Sequence, residues 1–204
     1  MPVITAITVQ EKNKERCNVF IDGEFFAGVS METVLKFRLK PKMEIEPDKL
    51  AEVLAQSERS QAIAKAADYC AKSLKTKKQV KEYLLSKGYS EETVWYCIDK
   101  LKEYAYIDDK EYSRRFMEST AKTQGKRLMA YKLMMKGVKK EDVEEAYSLA
   151  EIDEEENAKN LAAKYLRNKE ITKENVYKAY KYLVGKGFDF ETAKNAVSDF
   201  GEQD

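Results

Sequence analysis

Leu84-Leu85-Ser86-Lys87-Gly88-Tyr89 returns as Leu133-Met134-Met135-Lys136-Gly137-Val138 and again as Leu183-Val184-Gly185-Lys186-Gly187-Phe188. The three glycines stand 49 and 50 residues apart, each with a leucine four residues before it and a glutamate four after it (Glu92, Glu141, Glu191). A small aliphatic follows at the sixth position: Val94, Val143 and Ala193. One pattern at a steady period marks an array of related supersecondary units. Each glycine is placed to end a helix, because it adopts the left-handed conformation of a helix stop without a Cβ penalty.

Outward from the glycines, each unit reads as three helices, the middle one ending at Gly88, Gly137 or Gly187. Thr76-x-x-Gln79 is a capping box that opens the first middle helix. Val94, Cys97, Ile98 and Leu101 give the helix after Gly88 an apolar stripe at i, i+3, i+4, i+7. The junctions Ile107-Asp108-x-x-Glu111 and Ile152-Asp153-x-x-Glu156 share a design in which the aspartate caps a new helix and the glutamate reaches back to the free N–H groups. Ile107 is expected to staple against Tyr112. These aspartates read as caps, not as a metal or acid pair. Glu154-Glu155-Glu156 reads as a solvated first helical turn. Of Trp95, Tyr96, Tyr104 and Tyr106, three are expected in the core.

Upstream, Val3–Val9 and Arg16–Ile21 are rich in branched and aromatic residues, and Asp22-Gly23 supplies a hairpin turn before Glu24–Val29. The expected three-stranded antiparallel meander needs cover, for which Val34, Leu35 and Phe37 are candidates. From Pro47 to about Ser73 the chain is alanine-rich, one long helix or two with a joint near Ser57 to Ser60. The predicted fold is mainly α: the small β meander and short helix (1–45), a linking helix with repeat one (46–107), repeat two (108–152) and repeat three (153–204).

Charged residues make up 36% of the chain and hydrophobic ones 43%, a balance that suits thin helical layers. No apolar run approaches the ~20 residues a bilayer span requires, and Met1-Pro2-Val3 does not open a signal peptide. A cytoplasmic protein without membrane partners is expected. Cys17, Cys70 and Cys97 are widely spaced and histidine is absent, which argues against structural zinc and a disulfide framework. The commonest general base is missing too. With no Walker loop, GxGxxG or GxSxG, the expectation is no catalytic residue, no metal, no cofactor and no enzyme.

The net charge of +1 hides a local separation of 37 basic and 36 acidic residues. The middle helices Thr76–Lys87, Gly125–Lys136 and Lys173–Lys186 carry +3, +4 and +3, whereas the third helices Ser90–Tyr104, Lys140–Ile152 and Asp189–Phe200 carry −2, −4 and −2. Stacked units would align these into a basic ridge beside an acidic one. The longest acid-free stretch, Ser119 to Lys140, holds Lys122, Lys126, Arg127, Lys132, Lys136, Lys139 and Lys140. A second, Tyr69 to Lys81, holds Lys72, Lys75, Lys77, Lys78 and Lys81. Lysines solvating helix faces and acids at helix starts account for a bias in one unit. Recurrence in three favours an anionic partner. A helix-turn-helix reading of Thr76 to Asp109 fares worse, since its reader helix opens Ser90-Glu91-Glu92-Thr93 and lacks base-reading side chains.

At this point the residues resemble a known family, the RecX regulators of the RecA recombinase. The likeness begins at Ile4-Thr5-x-Ile7 with Asn18-Val19-Phe20-Ile21-Asp22-Gly23-Glu24. It continues through Thr76-Lys77-Lys78-Gln79-Val80-x-x-Tyr83-Leu84-x-x-Lys87-Gly88-Tyr89. Most specific is Tyr106-Ile107-Asp108-Asp109-x-x-Tyr112-x-x-x-Phe116, followed by Gly125-Lys126-Arg127-Leu128. The resemblance implies a non-enzymatic modulator of tandem three-helix units in an elongated, curved array. Such a protein docks in the groove of the RecA–single-stranded-DNA filament and suppresses its ATPase, coprotease and strand-exchange activities, with single- or double-stranded DNA as a further partner. A monomer is expected. Carried onto this chain, the contact residues are Lys77, Lys78, Lys81, Lys126 and Arg127, with Arg114 and Arg115 extending the surface. Lys122, Lys132 and Lys136 join them on charge. Lys132 is a departure, since many relatives carry an acid in that stretch. A sequence-independent nucleic-acid binder acting without RecA is the alternative.

Overall fold

Three short strands open the chain because Asp22 and Gly23 both take positive φ, 49° and 88°, the geometry that matches a tight hairpin to the twist of its strands. The computed structural model describes residues 1–200. Strands β1 (Ile4–Val9), β2 (Arg16–Ile21) and β3 (Glu24–Ser30) pair antiparallel in the order β1-β2-β3, with Val19 opposite both Ile7 and Ala27. Ile4, Cys17, Val19 and Val29 face a core closed by Leu39, Ile45 and Val53. The short helix α1 (Met31–Lys36) covers this sheet with Val34, and Phe37 at its end packs there too. Leu35 does not: it is 70% exposed, because the helical turn that buries Val34 carries its neighbour outward.

Helix α2 (Pro47–Ala71) is continuous, so the joint considered near Ser57 to Ser60 is not formed. Pro47 occupies its first turn, where the missing N–H costs nothing. Ser57 is buried and its hydroxyl donates to the Gly28 carbonyl, which ties the helix to β3 at mid-length. Further along, Ala62, Ala66 and Cys70 pack on α3 (Lys77–Ser86) and α4 (Glu91–Glu103) through Val80, Leu84, Val94, Cys97, Ile98, Leu101 and Ile107. All four stripe residues of α4 are buried.

The chain divides into two compact units, Met1–Leu74 with Val80–Ile107, and Lys75–Gln79 with the chain from Asp108 onward. In the second unit, α5 (Asp109–Thr120), α6 (Lys126–Met135) and α7 (Lys140–Leu149) enclose Met117, Met129, Leu133, Val138, Val143 and Ala146. Helices α8 (Glu154–Leu166), α9 (Lys173–Gly185) and α10 (Phe190–Ser198) enclose a further cluster around Leu161, Leu183 and Phe188. The third predicted repeat runs to 204, and residues 201–204 lie outside those described. Asp108 accepts from the amides of Lys110 and Glu111, and Asp153 from that of Glu156. The glutamate half of the first junction differs from expectation: the Glu111 carboxylate turns along α5 to Arg114 and Arg115. The staple is not formed either, since Ile107 is buried with the α2–α4 core while Tyr112 packs in the α5–α7 cluster.

Gly88, Gly137 and Gly187 have φ of 83°, 85° and 90°. Within the second unit, two of them also make joints. The Gly125 amide donates to the Lys186 carbonyl at 2.9 Å and the Arg127 amide to the Gly187 carbonyl at 3.1 Å, so α6 begins on the end of α9. The Thr76 hydroxyl donates to the Lys136 carbonyl at 2.7 Å and Lys78 Nζ to the Met135 carbonyl at 3.1 Å, so Thr76–Lys78 sits on the end of α6. Donor-rich helix starts thus meet acceptor-rich helix ends, which pairs orphan groups and opposite ends of the helix dipoles. A Cβ at Gly125 would overlap the Gly187–Phe188 backbone, one at Gly187 the Leu128 backbone, and one at Gly137 the Lys78 side chain.

Gly125 has an ordinary φ of −79°, so Gly125→Ala tests close approach without left-handed strain. It is expected to lower stability by about 1–3 kcal/mol through overpacking. Gly88→Ala, where an added Cβ meets nothing within 4 Å, is expected to cost only the strain of about 1–2 kcal/mol, and Gly187→Ala more than either. Urea unfolding of the three variants checks the order, and equal losses at Gly88 and Gly187 would remove the joint from the account.

Candidate functional site

The basic side chains of the middle helices do not stand as isolated charges. At one joint of the second unit, Lys78 caps the end of α6 beside Lys136, whose ammonium lies 5.9 Å from the Tyr112 ring. At the other, Lys126 and Arg127 open α6 against Lys186. Lys126 Nζ lies 4.4 Å above Tyr147, Arg127 lies 5.6 Å above Phe190, and Lys186 Nζ lies 5.3 Å above Tyr182. In the first unit Lys81 stands 4.6 Å over Trp95 and Lys87 5.4 Å over Tyr83. Exposed cation–π pairs are worth roughly 0.5–1 kcal/mol each. They fix where the cations sit without neutralising them.

Besides Lys81, which stands over Trp95 in the first unit, the sequence-selected residues fall into three settings. Lys78, Lys126, Arg127 and Lys136 gather at the two joints, with Lys77 in the same segment as Lys78; the Lys77 amide donates to Asp109 at 2.8 Å. Lys132 is half-buried on α6, and Lys122 is exposed in the turn after α5, lining a 540 Å³ recess with Glu118, Leu149, Glu151 and Asp153. Arg114 and Arg115 are held differently. Arg114 bonds both Glu111 and Glu118, and Arg115 bonds Glu111 at 2.6 Å. These guanidiniums, Arg114 foremost and then Arg115, hold the Glu111 carboxyl down to about 2 from its ordinary 4.5. Of the expected motif residues, Phe116 packs beside Tyr112, their rings 6.5 Å apart.

Glu154 has a role that the composition of its turn concealed. Its carboxylate accepts from the Lys126 amide at 2.8 Å and from the Tyr147 hydroxyl at 2.6 Å. It is a half-buried clamp on the start of α6. Burial, and then the Glu154 carboxylate, raise the Tyr147 phenol well above its usual range. The tandem acids gave no sign of this, because Glu155 and Glu156 are indeed exposed. The expectation for the aromatics is corrected as well: Tyr96 packs on the α2–α4 core, while Trp95, Tyr104 and Tyr106 are 39%, 60% and 47% exposed. Trp95 lies on α4 to one side of the Val94–Leu101 stripe, and Tyr104 and Tyr106 lie at the end of α4 and in the turn that follows. Among the described residues no cluster of His, Cys, Asp and Glu suits a metal ion, and no helix is long and apolar enough to cross a membrane. The cysteines are buried, and burial foremost pushes the Cys97 thiol up to about 11.

A small antiparallel sheet followed by groups of three helices, each middle helix ending at a left-handed glycine, defines a class, the helical-repeat proteins, within which comparison with known proteins gives a family. The sequence model of the regulatory protein RecX N-terminal domain matches residues 2–46, and that of the RecX first three-helix domain matches residues 62–101. A Clostridium botulinum protein (strain Alaska E43 / Type E3) named Regulatory protein RecX is 39% identical, the match covering 98% of this chain and 96% of that one. The Bacillus subtilis (strain 168) protein of the same name is 28% identical, over 97% and 76%. A crystal structure of a regulatory protein RecX shares the fold with a TM-score of 0.78 at 24% identity, covering 98% of this chain and 100% of that one. The chain belongs to the RecX family.

The pairing of Arg114 and Arg115 has a measurable consequence. A depressed carboxyl contributes stability that is present above the ordinary value of 4.5 and lost as pH falls toward about 2. In Arg114→Gln the Glu111 carboxyl is expected to titrate closer to 4.5, read by side-chain carboxyl NMR. Glu111→Gln frees Arg115 and leaves Arg114 with Glu118 alone, and is expected to tighten binding to a short oligo(dT) about two- to fivefold at pH 7. Unchanged binding would leave these arginines outside any anion-contacting surface.

Proposed function

We propose that this protein is a non-enzymatic modulator, in the main an inhibitor, of the RecA recombinase. On this reading it lies in the groove of the RecA–single-stranded-DNA filament and restrains ATP hydrolysis, coprotease action and strand exchange, in the cytoplasm where recombination, DNA repair and the SOS response are regulated. Family membership supports the partner. The observation that carries the surface is the gathering of Lys78, Lys136, Lys126, Arg127 and Lys186 at the two joints of the middle helices.

Such a surface suits a polyanion-bearing filament physically. Lysine-dominated contacts position without reading sequence, which a filament assembled on any DNA requires. Several weak contacts in one chain gain affinity by linkage, because engagement of one raises the effective concentration of the next. A chain that bridges neighbouring filament subunits opposes the rearrangement that accompanies ATP turnover. No nucleophile, base or cofactor site is needed for this, since the effect is a shift in the population of filament states.

The test is a titration of RecA filament ATPase with the wild type and with Lys126→Glu, Arg127→Glu. Bridging predicts inhibition by the wild type at well below one copy per RecA subunit, and about tenfold or greater loss of potency in the double variant. The Arg127 amide bonds Gly187 and the Lys126 amide bonds Glu154, both through the backbone, so the variant is expected to keep its fold, checked by thermal unfolding. Equal potency would remove this surface from the mechanism. Oligo(dT) binding by a wild type without effect on RecA would instead support a sequence-independent nucleic-acid binder.

A further inference from the structure

The outward face of α6 is not simply basic. Tyr131, Met134 and Met135 are 57%, 44% and 60% exposed, while Met129 and Leu133 on the opposite face are fully buried. Arg127, Tyr131 and Met135 follow one another at i, i+4, i+8 and so line a single stripe. Counted back from the glycine that ends each middle helix, the position of Tyr131 is Glu82 in α3 and Lys181 in α9, and that of Met135 is Ser86 and Gly185. Tyr131 and Met135 are therefore specific to α6, whereas the position of Met134 is apolar in all three repeats, as Leu85 and Val184. The rim of the stripe is cationic, with Lys126 and Arg127 at one end and Lys136 and Lys139 at the other, inside a stretch that has no acid from Ser119 to Lys140.

We propose that this stripe is a protein-docking site, its occupant a protein surface that presents an apolar recess edged by carboxylates. The inference rests on the function proposed above and states which component of the filament α6 touches: the recombinase, not its DNA. Tyrosine, methionine and arginine are the residues enriched at protein–protein contacts, where lysine is depleted. A phosphate backbone gives two exposed methionines nothing to bind, whereas a protein recess is filled by these adaptable side chains. The cationic rim supplies steering and orientation toward an acidic edge. In this arrangement the apolar stripe carries the affinity and the surrounding lysines carry the salt dependence.

The experiment compares the wild type, Tyr131→Ala with Met135→Ala, and Tyr131→Phe with Met135→Leu. Each is titrated into RecA filament ATPase assays at low and at high salt, and each is measured for direct binding to free oligo(dT). The alanine pair is expected to lose about tenfold or more in inhibitory potency, as truncated anchors do, by the same factor at both salt concentrations. Its oligo(dT) affinity is expected to stay at the wild-type value, and the Phe–Leu pair to keep wild-type potency. The altered residues are exposed, so unchanged thermal unfolding is expected and excludes misfolding as the cause. Wild-type potency in the alanine pair overturns the proposal while leaving the function intact. A parallel loss of oligo(dT) binding also overturns it and makes the stripe a base-stacking platform. A wild type that leaves RecA unaffected fails the function itself, and the inference with it.

Discussion

A helix start pressed directly on the end of another is the contact around which the second unit is organised. At Gly125 the α6 backbone approaches the Lys186–Phe188 turn closely enough that a methyl group would overlap it. The approach is possible because both sides reduce to bare peptide: glycine on one helix, a left-handed glycine on the other. It is favourable because unpaired N–H groups face unpaired carbonyls. The same logic at Thr76 and Gly137 places Lys78 on the end of α6, this time through side chains. The backbone contact places Lys126 and Arg127 at the end of α9, and the side-chain contact places Lys78 at the end of α6.

The electrostatic organisation is correspondingly layered. Each lysine that precedes a helix-ending glycine is held over an aromatic ring, Lys87 on Tyr83, Lys136 on Tyr112 and Lys186 on Tyr182. The α5 arginines are occupied by Glu111 and Glu118. Glu154 spends its charge on the start of α6. On α6 the exposed cations Lys126 and Arg127 stand in the same helix as exposed apolar side chains. A count of basic residues overstates the available charge at α5, and it says nothing of the apolar stripe.

Much of this was legible in the residues, and the exceptions have physical causes. Strand pairing follows from alternation and from Asp22-Gly23, the caps from Asp108 and Asp153, and the α4 core from a stripe with no competing face. These signals are local, and local signals survive folding. Leu35 departs from expectation because apolar character does not reveal which way a short helix is turned. Glu111 departs from expectation because the capping-box spacing also places a carboxylate one turn before Arg114 and Arg115, where two guanidiniums compete successfully with a backbone N–H. Trp95, Tyr104 and Tyr106 are exposed because a single stripe already fills the α2–α4 core. The joints at Gly125 and Gly187 lie beyond sequence logic altogether, since they depend on residues some 60 apart meeting in space.

Because the α6–α9 joint is made peptide to peptide, the side chains on either side of it contribute little to holding it. Lys126 or Arg127 can be exchanged for other residues over evolutionary time while the architecture persists, provided the glycines are kept. Scaffold and surface chemistry thereby rest on different atoms, so the side chains at the start of α6 can change without altering the frame that presents them.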